Sequence, residues 1–512
     1  MYAMLTTRTV RKYLNLKIGG SNMSTKQRTF EDAIECLNSL QSNAKVLEAL
    51  RNRGKVPNDD SMTQMKEYLN RIGYQTSDLN RLNVIHVAGT KGKGSTCAFT
   101  SSILSKIQKK YPDIAPKRIG MYTSPHLRSV CERIQLDGKP VSKELFTKYF
   151  FQMWDRLEAT ASEATNPEKP MYFRFLTLLA WHVFFSEGVD AAIIEVGIGG
   201  EYDSTNLIEK PIVTAVTSLG LDHTALLGKS ISEIAWQKAG IYKESATALT
   251  CLQVPEALPV LEQRANERKT RLKIIKAPFF LKPEMIGLSG AHQLGNAALA
   301  MEMVNEFIHK TKPSCSINLN KDSAVFDGLK DVQWPGRCQM ETIDGIQWCF
   351  DGAHTQESLE ATGVWLASKR QLFKEAEKRV LIFNQQSRDD PVALIQAFLR
   401  GYESFGEDLP FTHAIFSTNV TFKDETYNPE LLSVNTVTDK RPALHVQETL
   451  ASWWKENRTG MNDAIKIAPT VEEAVEMVHQ INGESTNTFV CVTGSLHLTG
   501  GLFVVLNKAA FE

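Results

Sequence analysis

Residues 83–96, N-V-I-H-V-A-G-T-K-G-K-G-S-T, constrain this chain more than any other segment. An apolar run at 84–87 enters a turn carrying Gly89, Gly92 and Gly94 with Lys91 and Lys93, and a helix-forming run follows at 96–109. That order suits phosphate binding. Glycines let backbone N–H groups close around oxygens, a lysine adds charge, and the helix N-terminus faces the anion. Two departures from the ordinary loop G-x-x-x-x-G-K-[ST] matter. Its first glycine would fall at Val87, whereas the first here is Gly89. The hydroxyl that should follow the lysine is displaced by Gly94 to Ser95, and the extra glycine gives the backbone room at the phosphates.

The 512 residues suffice for two or three domains. Lysine plus arginine equals aspartate plus glutamate at 58 each, so bulk charge gives no reason to expect nucleic acid as a partner. No apolar run approaches the length of a bilayer span, which argues against integral membrane association. The eight cysteines are scattered without C-x-x-C or zinc spacing, as expected of reduced, mostly buried thiols. Residues 1–30 form a contrast: they carry six lysines and arginines, and the first acid is Glu31. Residues 4–18 can form the basic amphipathic helix of a mitochondrial transit peptide, and Met23 offers a second start that drops it. A disordered basic tail is the alternative.

Past this segment, apolar runs at 84–87, 119–122, 191–196 and 212–217 alternate with helical patterns at 145–159, 174–185 and 231–240. A second alternation begins near Ala324, with strands expected at 347–350, 379–383, 414–417 and 488–492. Both predict an α/β fold with mainly parallel sheets covered on both faces. The polar stretch 311–322 marks the expected boundary between 31–322 and 323–512.

Several strand ends carry chemistry. Glu195 closes an apolar strand before Gly197, Gly199 and Gly200, where a nucleotide enzyme holds magnesium. A paired core glutamate is the structural alternative. His223, in L-G-L-D-H-T, is either a metal ligand or a satisfied structural residue. Ser124, in Y-T-S-P-H-L, either supplies the hydroxyl displaced from the loop or caps a proline turn. Lys238 either snorkels from its helix end or, buried and deprotonated, is open to modification. Arg337, in W-P-G-R, suits phosphate charge that grows during transfer, and Asp351, in D-G-A-H-T, suits a nucleotide or metal-bound water. Tyr172 and Phe173 are candidates for stacking on a flat ring, against a plain core role.

Taken together these segments resemble the folylpolyglutamate synthases of the Mur-type ligase family. The resemblance rests on H-V-A-G-T-K-G-K-G-S-T, T-S-P-H-L, P-M-Y-F-R-F-L-T, E-V-G-I-G-G-E-Y-D-S-T-N, T-S-L-G-L-D-H-T-A-L-L-G, A-W-Q-K-A-G-I, G-A-H-Q-L-G-N-A, W-P-G-R and D-G-A-H-T. They stand in the family's order across about residues 30–500. The resemblance implies an N-terminal Mur-ligase-like P-loop ATPase domain and a smaller C-terminal Rossmann-like domain. It implies that Gly89, Gly92, Lys93, Gly94 and Ser95 hold the ATP phosphates, that Asn296 faces the adenine, and that Ser124, Glu195 and His223 bind magnesium. Arg337 and Asp351 would reach ATP from the second domain with His354 beside them. Lys93, Arg337, Lys238 and His354 form the implied catalytic group, and Lys238 matches a lysine carbamylated in bacterial relatives. ATP, magnesium at two sites and a monovalent cation such as K+ are the implied cofactors. The implied reaction joins L-glutamate to the γ-carboxylate of reduced folates through an acyl phosphate, in a monomer found in mitochondria and, from Met23, in cytoplasm. Dihydrofolate synthesis, or another Mur-type amide ligation, is the alternative on the same fold.

Overall fold

The computed structural model describes residues 28–41, 59–163, 167–244, 246–315, 318, 321–385, 390–404, 406, 411–423, 430, 444–458, 464–483 and 487–506. The expected transit segment therefore lies outside the described residues up to position 27.

The first body is built on eight strands: β1 Ile85–Ala88, β2 Ile119–Tyr122, β3 Ile134–Leu136, β4 Lys139–Pro140, β5 Ala191–Glu195, β6 Val213–Val216, β7 Thr247–Cys251 and β8 Leu272–Ile275. They lie in the order β4-β3-β2-β5-β1-β6-β7-β8, parallel except where β3 pairs with β2 and β4. β1 sits between β5 and β6, with Val87 opposite Glu195 and Ala88 opposite Val216. The segments leaving these three strands thus emerge side by side at one carboxyl edge, where ligands bind in such sheets. Every residue of β1, β2, β5 and β6 is buried, which explains their unbroken apolar runs.

Helices cover both faces. On one, Ile85, Val87 and Ile193 pack with Phe99 and Ile103 of helix Lys93–Lys110 and with Val304 of helix Gln293–Thr311. On the other, Val84, Tyr122 and Ile194 pack with an aromatic layer including Phe146, Phe150 and Phe175. Phe150 stacks on Trp154 at 5.5 Å between ring centroids.

The second body has six strands: β9 Gln339–Ile343, β10 Ile346–Phe350, β11 Lys378–Phe383, β12 His413–Ser417, β13 Ile465–Ala468 and β14 Thr488–Thr493. Their order is β13-β12-β11-β14-β10-β9, parallel apart from the β9–β10 hairpin. Alternate residues serve opposite cores. Cys349, Leu381, Phe383, Phe489 and Cys491 face one way, and Trp348, Phe350, Val380, Ile382, Val490 and Val492 the other.

The expected division at 322/323 needs correction. Helix Ser323–Asp331 belongs to the first body, because Ala324, Val325 and Leu329 share the core that holds Phe99 and Ile103. The crossover falls after Val332. In the other direction, Leu127 of the first body is buried in the second body's core, where a Cβ on Gly500 would sit 2.0 Å from its carbonyl oxygen. All eight cysteines are free thiols, as expected. No helix among the described residues is long and apolar enough to cross a membrane.

Candidate active site

The helix Lys93–Lys110 begins at Gly92, whose φ of 88° is left-handed, and no side chain caps it. Its first-turn N–H groups are therefore left for an anion. The turn is locked from behind. Thr90 N and Lys91 N donate to Ser218 O at 2.9 and 3.1 Å, and Thr217 Oγ1 donates to Lys91 O at 2.7 Å. Two glycines allow this packing: a Cβ on Gly89 would lie 1.8 Å from Thr217 Oγ1, and one on Gly92 would lie 2.4 Å from Asn296 Oδ1.

Gly94 has a different reason from the one the sequence suggested. A Cβ there would meet the Trp334 ring at 3.1 Å, so the extra glycine admits the segment joining the two bodies. Ser95 is buried, and its hydroxyl accepts from Gln293 Nε2 at 3.4 Å. Gln293 in turn accepts from Asn296 Nδ2 at 2.9 Å. Asn296 is thus wedged behind the phosphate turn.

Lys93 and Lys238 converge on one oxygen. Their Nζ atoms donate to Gly89 O at 3.1 and 2.8 Å. Lys238 does not snorkel to the surface: it is 4% exposed, and burial, with Lys93 nearby, holds its amine well below the usual lysine range. Lys91 reaches sideways to Asp222 at 3.1 Å, and Asp222 Oδ1 accepts from His223 N at 2.9 Å. His223 stands exposed at the rim of the same cleft with φ 51°.

Glu195 ends β5, is 4% exposed, and accepts from Ser124 N at 2.9 Å through Oε2. Burial pushes its carboxyl up, opposed by Lys93, the Ser124 N–H, Arg337 and Arg133. This donor set suits magnesium. A hard cation would relieve the buried carboxylate, and magnesium takes one or two carboxylates and completes its shell with phosphate oxygens and water. Ser124 and Glu195 are brought together, and His223 lines the cleft with them. No group of three or more His, Cys, Asp or Glu among the described residues could hold a metal ion. Any further cation would therefore depend mostly on substrate and backbone oxygens.

From the second body, Arg337 and His354 enter the cleft, whose volume is about 1290 Å³. His354 Nδ1 lies 2.9 Å from Gly352 O, and a carbonyl only accepts, so Nδ1 carries the proton and Nε2 a lone pair. Burial, then Lys91, lowers this histidine to about 3, so the ring is neutral near pH 7. Asp351 lines the same cleft and is also held by three hydrogen bonds. Its Oδ1 accepts from Ala353 N and Thr362 Oγ1 at 2.9 and 2.8 Å, and its Oδ2 from Cys338 N at 2.8 Å. It braces the segments that carry Arg337 and His354.

The chain that carries this phosphate turn is similar along most of its length to known proteins. A probable folylpolyglutamate synthase of Schizosaccharomyces pombe is 66% identical over 508 residues, 99% of this chain and 100% of that protein. The folylpolyglutamate synthase of Saccharomyces cerevisiae (strain FostersO) is 44% identical over 494 residues, 94% and 87% of the two chains. The chain belongs to the folylpolyglutamate synthase family. Folylpolyglutamate synthases are ATP-dependent ligases that add L-glutamate to folates, and that is the activity of this chain.

Solved structures show the same fold. The Mycobacterium tuberculosis folylpolyglutamate synthase complexed with ADP has a TM-score of 0.68 at 23% identity, covering 93% of this chain and 100% of that one. The apo form of L. casei FPGS has a TM-score of 0.68 at 21% identity, covering 94% of this chain and 100% of that one. A family model described as "Dihydrofolate synthetase, C-terminal domain" matches residues 337–506, the second body alone. Both expected α/β bodies are thus borne out.

Sequence reasoning missed several residues that shape this folylpolyglutamate synthase cleft. Thr217, Asp222 and Gln293 hold the phosphate turn, and Arg133 reaches the cleft from beyond the Ser124 turn. The first three lie inside the blocks T-S-L-G-L-D-H-T and G-A-H-Q-L-G-N-A, but as ordinary polar residues they have no spacing that assigns them a role. Phe173 and Tyr172 line the cleft, where a Cβ on Gly197 would meet the Phe173 ring at 2.4 Å.

Proposed function

We propose that the cleft transfers the γ-phosphoryl group of ATP to the terminal γ-carboxylate of a reduced folate, and that L-glutamate then displaces phosphate from the acyl phosphate. One observation carries this reading: Lys93 and the buried Glu195 of the first body line one cleft with Arg337 of the second, so the two bodies share one reaction centre. The first-turn N–H groups of helix Lys93–Lys110 bind phosphate oxygens. Lys93 turns from Gly89 O to the transferring group, and Lys238 retains its bond to that carbonyl. Arg337 meets the charge spread over the phosphoryl oxygens in transit. A carboxylate oxygen is a poor leaving group, and phosphorylation lets an amine replace it. His354 Nε2, with its free lone pair, accepts a proton from the attacking amino group. Burial is the main cause that depresses this imidazole, and phosphate charge near Lys91 offsets only the second, the Lys91 ammonium.

Magnesium, when bound, supplies charge neutralisation, and Glu195, Ser124 and His223 are the residues that would hold it. A second magnesium and a monovalent cation such as K+ belong to the same reading. So does the reduced folate as acceptor: a solved FPGS-AMPPCP-folate complex shares this fold, with a TM-score of 0.64 at 21% identity. The chain acts as a monomer in this proposal. The basic, acid-free stretch 1–30 supports a mitochondrial form, and Met23 a cytoplasmic one.

The test is a ligation assay with ATP and radiolabelled L-glutamate, offering tetrahydrofolate or dihydropteroate as acceptor. Label is expected on tetrahydrofolate. Product from dihydropteroate alone would replace this reading with dihydrofolate synthesis.

A further inference from the structure

Arg133 lies in the cleft, 9% exposed, just ahead of β3. Its Nε donates to His126 Nδ1 at 2.9 Å, and its guanidinium carbon stands 5.6 Å from the centre of the Tyr172 ring. Among the described residues no carboxylate lies within ion-pair distance of it, although other buried arginines such as Arg264 are paired. The nearby acids are already engaged. Glu132 accepts from the N–H groups of Leu127, Arg128 and Ser129, and Glu430 accepts from Ser129 Oγ and Val130 N.

A guanidinium taken out of water without an acid beside it carries an uncompensated cost, and its forked edge matches a carboxylate. Its neighbours hold it in place. His126 is spent between Arg133 Nε and Glu430 O, and burial, then Arg133, pushes that imidazole well down. Arg133 and Glu195 line the same cleft.

We propose that Arg133 binds an amino-acid carboxylate next to the reaction centre, and that this is the α-carboxylate of the acceptor's terminal glutamyl residue. This rests on the ligase reading of the cleft. The γ-carboxyl to be phosphorylated must lie at Lys93 and Glu195, and the carbon of the α-carboxylate is about four carbon–carbon bonds away along the same residue. Tyr172, packed against Arg133, lines the same cleft and offers an aromatic ring to the acceptor's flat body. Arg133 thereby distinguishes a glutamyl terminus from an acid that merely presents a carboxyl group at the same reach.

The experiment compares two acceptors in wild type and in Arg133→Met. One is tetrahydropteroylglutamate. The other is its analogue ending in γ-aminobutyrate, which keeps the reacting carboxyl and lacks the α-carboxylate. Wild type is expected to favour the natural acceptor by about 10- to 100-fold in kcat/KM, and Arg133→Met to reduce that preference to within about 3-fold. KM for L-glutamate and for ATP should stay within about 3-fold. Equal loss on both acceptors would assign Arg133 a structural role and overturn the proposal. A rise confined to the KM of L-glutamate would move the subsite to the incoming amino acid and overturn it too. Arg133→Lys, which keeps the charge and loses the fork, should recover part of the preference; a preference left intact in Arg133→Met would overturn the proposal. Wild type inactive on the natural acceptor would instead count against the ligase reading.

Discussion

The two sheets each place a buried carboxylate at the carboxyl end of a parallel strand, and they use it in opposite ways. Glu195, closing β5, receives one hydrogen bond, from Ser124 N, and its carboxyl is pushed up by burial. Asp351, just past β10, receives three bonds through its two oxygens and is 7% exposed. One acid is left with a single donor in the cleft, where the proposed reaction would put a cation and phosphates. The other is consumed in holding Arg337 and His354 in place. Strand-end position alone therefore does not tell a ligand from a brace; the donors around the carboxylate do.

The sharpest way to break this contrast is Glu195→Gln. Turnover should fall on the order of 100-fold or more while the fold survives, measured by steady-state ligation and thermal melting. Retained turnover would mean that Glu195 is as structural as Asp351. The stability of the empty protein sharpens the point. A carboxyl whose folded pKa is raised binds protons better folded than unfolded, so stability falls as pH rises from the ordinary carboxylate range through the raised value. Glu195→Gln should lose that part of the decline, so the variant's advantage in Tm grows with pH across that window. A constant difference would contradict the burial argument.

Asp351→Asn should behave in the reverse way. Replacing an acceptor oxygen with an NH2 group sets a donor against Cys338 N, or against Ala353 N and Thr362 Oγ1, costing about 1–3 kcal/mol of stability. Chemical denaturation reads that loss, with turnover falling only moderately. Catalytic loss without any stability change would return Asp351 to the role the sequence suggested. Gly94→Ala should have the smallest effect. A methyl group 3.1 Å from the Trp334 ring requires a shift of a few tenths of an ångström, costing about 1 kcal/mol. Its mark should be a weaker junction between the bodies, read as faster proteolysis near Trp334, with ATP binding nearly unchanged.

Much of this was legible in the sequence because it was local. The strand–turn–helix around Lys93, the apolar strands, and the acids and glycines at strand ends all follow from periodicity and spacing. The four buried residues of β1 and the uncapped first turn after Gly92 are direct readings of V-I-H-V-A-G-T-K-G-K-G. What was not legible depends on contacts made across long stretches of chain. Asp351 looked like a ligand because the partners that consume it, Cys338 and Thr362, lie 13 and 11 residues away. The boundary was placed at the polar stretch 311–322, yet Ser323–Asp331 carries an apolar face that only the first core can receive. Gly94 looked like room for phosphates until Trp334 was seen against it. Arg133 carried no pattern at all.

Leu127 gives the junction a mechanical meaning. The turn that places Ser124 beside Glu195 also sends this leucine into the core of the opposite body, under Gly500 and beside Gly336. Any parting of the bodies that withdraws it exposes an aliphatic side chain to water, costing about 1.5–3 kcal/mol. Such a latch resists every opening while disturbing no bond at the reaction centre, so the length of this one side chain can tune how long a product remains before it escapes.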